Sequence, residues 1–83
     1  MTRVIYSRQA EDELRALWRF VAEENESAAD RILLALFERI EMLRHHPQLG
    51  PRRSDIRFAT RMLVEGYYLV LYENHPYVDE GAV

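Results

Sequence analysis

Histidine and arginine are the residue types whose spacing in this sequence bears most directly on chemistry. His45, His46 and His75 are its three histidines. Neighbouring residues on a helix point about 100° apart, so His45 and His46 are poorly placed to ligate one metal. They precede Pro47, where capping of a helix C-terminus is the expected role. His75 stands beside Pro76 in a predicted turn and is expected to be solvated. Arg57 and Arg61 are four residues apart, so on one strand they would face the same way. Beside aromatic rings, such a pair suits the gripping of phosphate or carboxylate. The alternative is a rim ion pair, with Arg61 reaching Glu65 or Glu73.

The other candidates for catalysis are weak. Glu23, Glu24, Glu26, Glu38 and Glu41 occupy predicted solvent-facing helical positions, and no pattern pairs two of them in a cleft. Gly50, Gly66 and Gly81 are the only glycines, too few and too scattered for a phosphate-cradling loop. Ser7, Ser27 and Ser54 read as caps or loop residues, and Tyr6, Tyr67 and Tyr72 as core. With no cysteine there is neither a disulfide framework nor a thiolate metal site. The residues therefore predict a protein that binds, with no catalytic residue, cofactor or metal.

The elements that must position these side chains follow from hydrophobic periodicity. Eighty-three residues make one small domain, burying only ~60% of the surface its unfolded chain exposes. The content of 48% hydrophobic and 30% charged residues is that of a folded domain. No apolar run is long enough for a membrane span. The chain enters Val4-Ile5-Tyr6 with no apolar leader, which predicts a cytoplasmic protein.

Thr2 to Tyr6 is β-prone. Ser7 then caps a predicted helix from Arg8 to Glu24, with Ala10, Leu14, Leu17, Trp18 and Val21 on its core side. Asn25-Glu26 breaks the pattern, and Ser27 is the expected cap of a second helix running to about Arg44 or His45. Ala29, Ile32, Leu33, Leu36, Ile40 and Leu43 form its core stripe, while Leu34 and Phe37 lie off it and offer a contact surface. The short break makes the two helices an antiparallel hairpin. Ile56 to Val64 and Tyr67 to Tyr72 are predicted strands joined at Glu65-Gly66, and Tyr77-Val78 is a possible start of another. Along the Tyr67 strand, Tyr67, Leu69 and Leu71 face one way and Tyr68, Val70 and Tyr72 the other. Both faces are apolar, and a two-helix hairpin covers only one. A partner segment is the expected cover for the second.

Charge points to the same kind of partner. All eleven basic residues are arginine. Arg44, Arg52, Arg53, Arg57 and Arg61 meet only Asp55 between positions 44 and 61, a local balance of +4 against −7 elsewhere. The segment is either a solvated basic loop or a docking patch for an acidic partner. The candidate partner-binding residues are thus Arg52, Arg53, Arg57, Arg61, Tyr68, Val70, Tyr72, Leu34 and Phe37.

The ordered set of Tyr6-Ser7 with Ala10, Asn25-x-x-Ala28-Ala29, Ile40-x-x-Leu43-x-x-x-Pro47-x-x-Gly50, Asp55-Ile56-Arg57 and Arg61-x-Leu63-Val64-x-x-Tyr67-x-Leu69-Val70-x-Tyr72 resembles the ParE branch of the RelE/ParE toxin superfamily. The resemblance implies an α+β fold, β-α-α-β-β-(β), with a helical hairpin on one face of a small antiparallel sheet. It implies the toxin of a type II toxin–antitoxin system, a non-enzymatic inhibitor of DNA gyrase. It also implies neutralisation by a ParD-like antitoxin, whose ribbon-helix-helix part binds DNA and whose C-terminal tail wraps the toxin. DNA contact would come only through that antitoxin.

The sister RelE branch cleaves mRNA on the ribosome with basic residues on its sheet. A net charge of −3 with no lysine suits RNA binding poorly, and only Arg57 and Arg61 match as carry-overs. Against the family pattern, Tyr77 to Val83 falls where the last strand is expected to begin. Residues 1–83 then read as one toxin domain short of that strand and of a basic C-terminal tail, with an unpaired sheet edge. A shortened chain that only binds antitoxin is the third reading.

Overall fold

A computed structural model describes residues 2–75 and 80–83. The chain runs through strand β1 (Arg3–Ile5), helix α1 (Arg8–Ala22), helix α2 (Glu26–Glu41) with a 3-10 turn at Met42–Arg44, then strands β2 (Thr60–Glu65), β3 (Tyr68–His75) and β4 (Glu80–Ala82). The fold is α+β, as the pattern predicts.

Helix α1 starts where Ser7 Oγ accepts the Ala10 amide proton at 3.0 Å. The cap of α2 is Asn25, not Ser27. Asn25 holds an extended backbone (φ −159, ψ 103), and its side-chain oxygen accepts from the Ala28 amide at 3.0 Å. Ser27 lies inside the first turn, its backbone already helical. An N-cap must hold an extended conformation while its side chain reaches back to the helix, and Asn25 supplies both. Asn25→Ala is expected to cost about 1 kcal/mol, while Ser27→Ala, at an exposed helical position, is expected to be neutral or slightly stabilising. Thermal denaturation of the two variants checks this.

The sheet order is β1-β4-β3-β2. It is mixed and not wholly antiparallel, because β1 and β4 run parallel, with Val4 beside Gly81. The described residues include a fourth strand. Glu80–Ala82 fills the slot between β1 and β3, with Asn74 opposite Gly81. Val83 extends this link by donating to Ile5 O and accepting from Ser7 N, at 2.8 and 2.9 Å. The edge expected to be unpaired is occupied. Pro76 to Asp79, including the expected turn and strand start at Tyr77-Val78, lie outside the described residues. His75 is the half-buried end of β3, not part of a turn.

Strands β2 and β3 pair in register with Leu63 opposite Val70, and Gly66 (φ 59) opens the two-residue turn between them. β2 begins only at Thr60, since Ile56, Phe58 and Ala59 lie in turns where the predicted strand from Ile56 would begin. Its inward side chains meet α2 in a core of Leu36, Ile40, Leu43, Leu63, Val70 and Tyr72. Leu14 and Leu17 of α1 pack on this cluster half-buried, and α1 contributes no fully buried residue. The side of β3 that the helices cover is thus that of Val70 and Tyr72.

Candidate functional site

Tyr72 and Arg61 organise the loop that follows α2. Tyr72 Oη donates to Pro47 O and accepts from the Gly50 amide, both at 3.0 Å. Arg61 Nη1 donates to Gly50 O at 2.9 Å and approaches Gln48 O at 3.4 Å. Residues 51–53 then run alongside β2, with Met62 N donating to Pro51 O and Arg53 N to Thr60 O. Pro47, Gly50, Arg61 and Tyr72, far apart in the sequence, make one anchor. Burial pushes the Tyr72 hydroxyl pKa up, and the Gly50 amide and Arg61 only partly offset it. The group stays neutral at physiological pH and acts as a hydrogen-bond bridge.

That anchor decides the fate of the candidate arginines. Arg61 spends its guanidinium on loop carbonyls, with neither Glu65 nor Glu73 as partner; Glu73 instead lies 3.5 Å from His75. Arg53 holds Asp55 through two hydrogen bonds at 2.8 and 2.9 Å, which keep the Asp55 carboxyl below its usual range. Arg52 stacks its guanidinium 4.9 Å from the Phe58 ring centroid. Arg57 lies in the loop and not on a strand, so it shares no strand face with Arg61. Among the described residues its side chain makes no ion pair. Arg44 is paired with Glu41. Of the arginines between 44 and 61, Arg52 and Arg57 are exposed and make no ion pair among the described residues.

The apolar candidates also sort unevenly. Val70 and Tyr72 are buried beneath the helices, while Tyr68, on the same face, is half-buried where the helices leave the sheet partly open. The open face carries Leu69 at 62% exposure, Leu71 at 44% and Val64 at 50%. Leu34 projects from α2 at 58% exposure, as its place off the core stripe predicts. Phe37 is only marginally exposed, because its ring stands edge-on to Tyr6 at 6.0 Å.

Two grooves flank α1. One of about 550 Å³ runs between the helices, walled by Tyr6, Leu14, Trp18, Leu33 and Phe37 with Arg15 at its rim. Trp18, expected in the core, is half-buried here and donates to Asp30 at 2.8 Å. The other, about 500 Å³, separates α1 from β3 and is walled by Leu14, Leu17, Leu36, Ile40, Tyr68 and Val83. It exists because α1 packs mainly on α2 and leaves the sheet partly uncovered.

Sequence reasoning missed Phe58 and Ile56, exposed at 79% and 45%. Read as part of a strand, Ile56 and Phe58 would share a face with Met62 and Val64. The adjacent turn formers Ser54-Asp55 were the available signal for a loop.

These features describe a two-helix hairpin on a four-stranded mixed sheet, with grooves beside α1 and an arginine-rich loop. Among the described residues, no three His, Cys, Asp or Glu side chains cluster to hold a metal, and no helix is long and apolar enough to cross a membrane. Residues 4–82 match the ParE toxin of type II toxin–antitoxin systems (parDE), and the chain belongs to that family. It is thus a toxin-type protein, of a kind that pairs with an antitoxin. A comparison with curated proteins finds no match.

Proposed function

We propose that this chain is a cytoplasmic toxin that arrests growth by inhibiting DNA gyrase through protein contact, without catalysis. A ParD-like antitoxin neutralises it, and DNA is contacted only through the antitoxin's ribbon-helix-helix part. The family match over residues 4–82 carries this reading. The apolar groove between α1 and β3 supports the antitoxin half of it. Its floor of Leu14, Leu17, Leu36 and Ile40, with Ser7, Gln9 and Glu13 also in the lining, suits an amphipathic segment, which would also cover surface that α1 leaves open.

The RelE-like ribonuclease reading draws less support from its two candidate residues. Arg61 is committed to Gly50 and Gln48, and Arg57 is off the sheet. A supercoiling assay with purified gyrase tests the proposal. Supercoiling is expected to fall as toxin is added and to recover when the co-expressed antitoxin is supplied in excess. Gyrase that stays fully active, with codon-specific mRNA cleavage in a translating extract, would transfer the assignment to the ribonuclease branch. A chain that binds antitoxin yet never arrests growth would leave only the binding-module reading.

A further inference from the structure

The loop between the 3-10 turn and β2 is built for display. Arg53 N donates to Thr60 O at 2.7 Å and Thr60 N to Arg57 O at 3.1 Å, while the Ile56 and Arg57 amides both turn back onto Arg53 O. The Arg53–Asp55 pair fixes the same turn from the side-chain level. The start of the loop is tied to the core through Tyr72 and Arg61. A loop closed by its own hydrogen bonds has little freedom left to lose when it is bound.

What it displays is unusual for a surface. Phe58 stands 79% exposed and Ile56 45%, where folding by itself favours burying both. Arg52 lies against the Phe58 ring and approaches its carbonyl oxygen at 3.4 Å, so ring and cation are presented together. Arg57, next in sequence to Phe58, is exposed and unpaired among the described residues. Aromatic and arginine side chains on a rigid support are the usual composition of interface hot spots.

We infer that the Ile56–Arg57–Phe58 loop with Arg52 is a second docking site, separate from the two grooves, that engages an acidic surface with an apolar pocket on the toxin's target protein. The inference rests on the reading of this chain as a toxin that acts by protein contact. Two observations assign the loop to the target. First, no residue between 44 and 61 lines either groove, so a segment seated in the α1–β3 groove does not need this loop. Second, positions 44–61 carry +4 in a chain of net charge −3. An acidic protein surface would be steered to this end and repelled elsewhere. Nucleic acid is the poorer fit, because two uncommitted arginines neutralise few phosphates and the rest of the chain repels them.

The test is the double variant Phe58→Ala/Arg57→Glu, with Arg52→Ala alongside. Both altered side chains of the double variant are exposed, so its melting temperature is expected to stay at the wild-type value. Growth arrest on expression should be lost. The toxin concentration for half-inhibition of gyrase supercoiling should rise at least ~10-fold, the effect of removing one hot spot. Affinity for the co-expressed antitoxin should remain within about twofold, as for near-neutral interface positions.

Retained toxicity with weakened antitoxin binding would overturn the inference, and so would a double variant indistinguishable from wild type in all readouts. Loop-dependent retardation of duplex DNA by the toxin alone would overturn it in favour of a nucleic-acid site. If wild-type toxin arrests growth without touching gyrase and the double variant does not arrest it, the loop stands and the gyrase assignment falls.

Discussion

Gly50→Ala is expected to abolish the cooperative thermal transition of this protein, or to lower its midpoint so far that little folded toxin is recovered. A Cβ built at Gly50 falls 2.8 Å from the Met62 carbonyl carbon, closer still to its oxygen, and 3.1 Å from the Tyr72 ring. Met62 sits in the middle of β2, paired with Leu71, so its backbone cannot step aside without disturbing the ladder. Moving the loop outward instead breaks the Gly50–Tyr72 and Gly50–Arg61 hydrogen bonds together.

Overpacking of this kind costs about 1–3 kcal/mol, and each buried polar group left unpaired adds about 1–3 kcal/mol. A domain of this size has roughly 4–12 kcal/mol in total, at about 0.05–0.15 kcal/mol per residue. Gly66→Ala is the control. Nothing lies within 4 Å of its Cβ position, and its φ of 59 carries only the left-handed penalty of roughly 1–2 kcal/mol. Denaturant unfolding should rank Gly50→Ala far below Gly66→Ala.

Tyr72→Phe should cost about 2–4 kcal/mol while leaving the core volume intact, since it removes one hydroxyl that serves two partners. The Gly50 amide is buried and loses its acceptor, and Pro47 O loses its donor. The same substitution should change the alkaline limit of stability. Burial raises the Tyr72 pKa above its ordinary 10.0, so the folded state favours the neutral hydroxyl. That contribution is fully present below about pH 10 and is lost as pH climbs through the raised folded value. Burial raises the Tyr6 pKa as well, with Glu41 adding to the effect and Arg44 opposing it. Wild type should therefore lose stability above pH 10 more steeply than Tyr72→Phe, whose remaining slope reports Tyr6. Denaturant midpoints measured across that range decide the point. If the two slopes are equal, Tyr72 is not held as a neutral bridge.

Much of the scaffold was legible in the residues. Helix α1 and the core stripe of α2 emerged from 3.6-residue periodicity, β3 from alternation and the β2–β3 turn from Gly66, because each signal lies within a few residues of the element it marks. The cap of α2 was misplaced by two positions, since Asn25 and Ser27 both suit an N-cap and only backbone conformation separates them. Leu34 was visible as an off-stripe residue; Phe58 was hidden by a strand assignment that ran through a turn.

The residues by themselves determined the order of elements, the family, the excess of arginine between 44 and 61, and the fact that β3 is apolar on both faces. Alternation states that a strand has two faces but not which one a helix will cover. That depended on where α2 lands on the sheet, and it put Val70 and Tyr72 inside and Leu69 and Leu71 outside. Only the tertiary structure set β4 between β1 and β3, joined Tyr72 and Arg61 to Gly50, and left Arg52 and Arg57 to face solvent beside Phe58. Such pairings join residues far apart in the chain, and their energies depend on distances that no local pattern encodes.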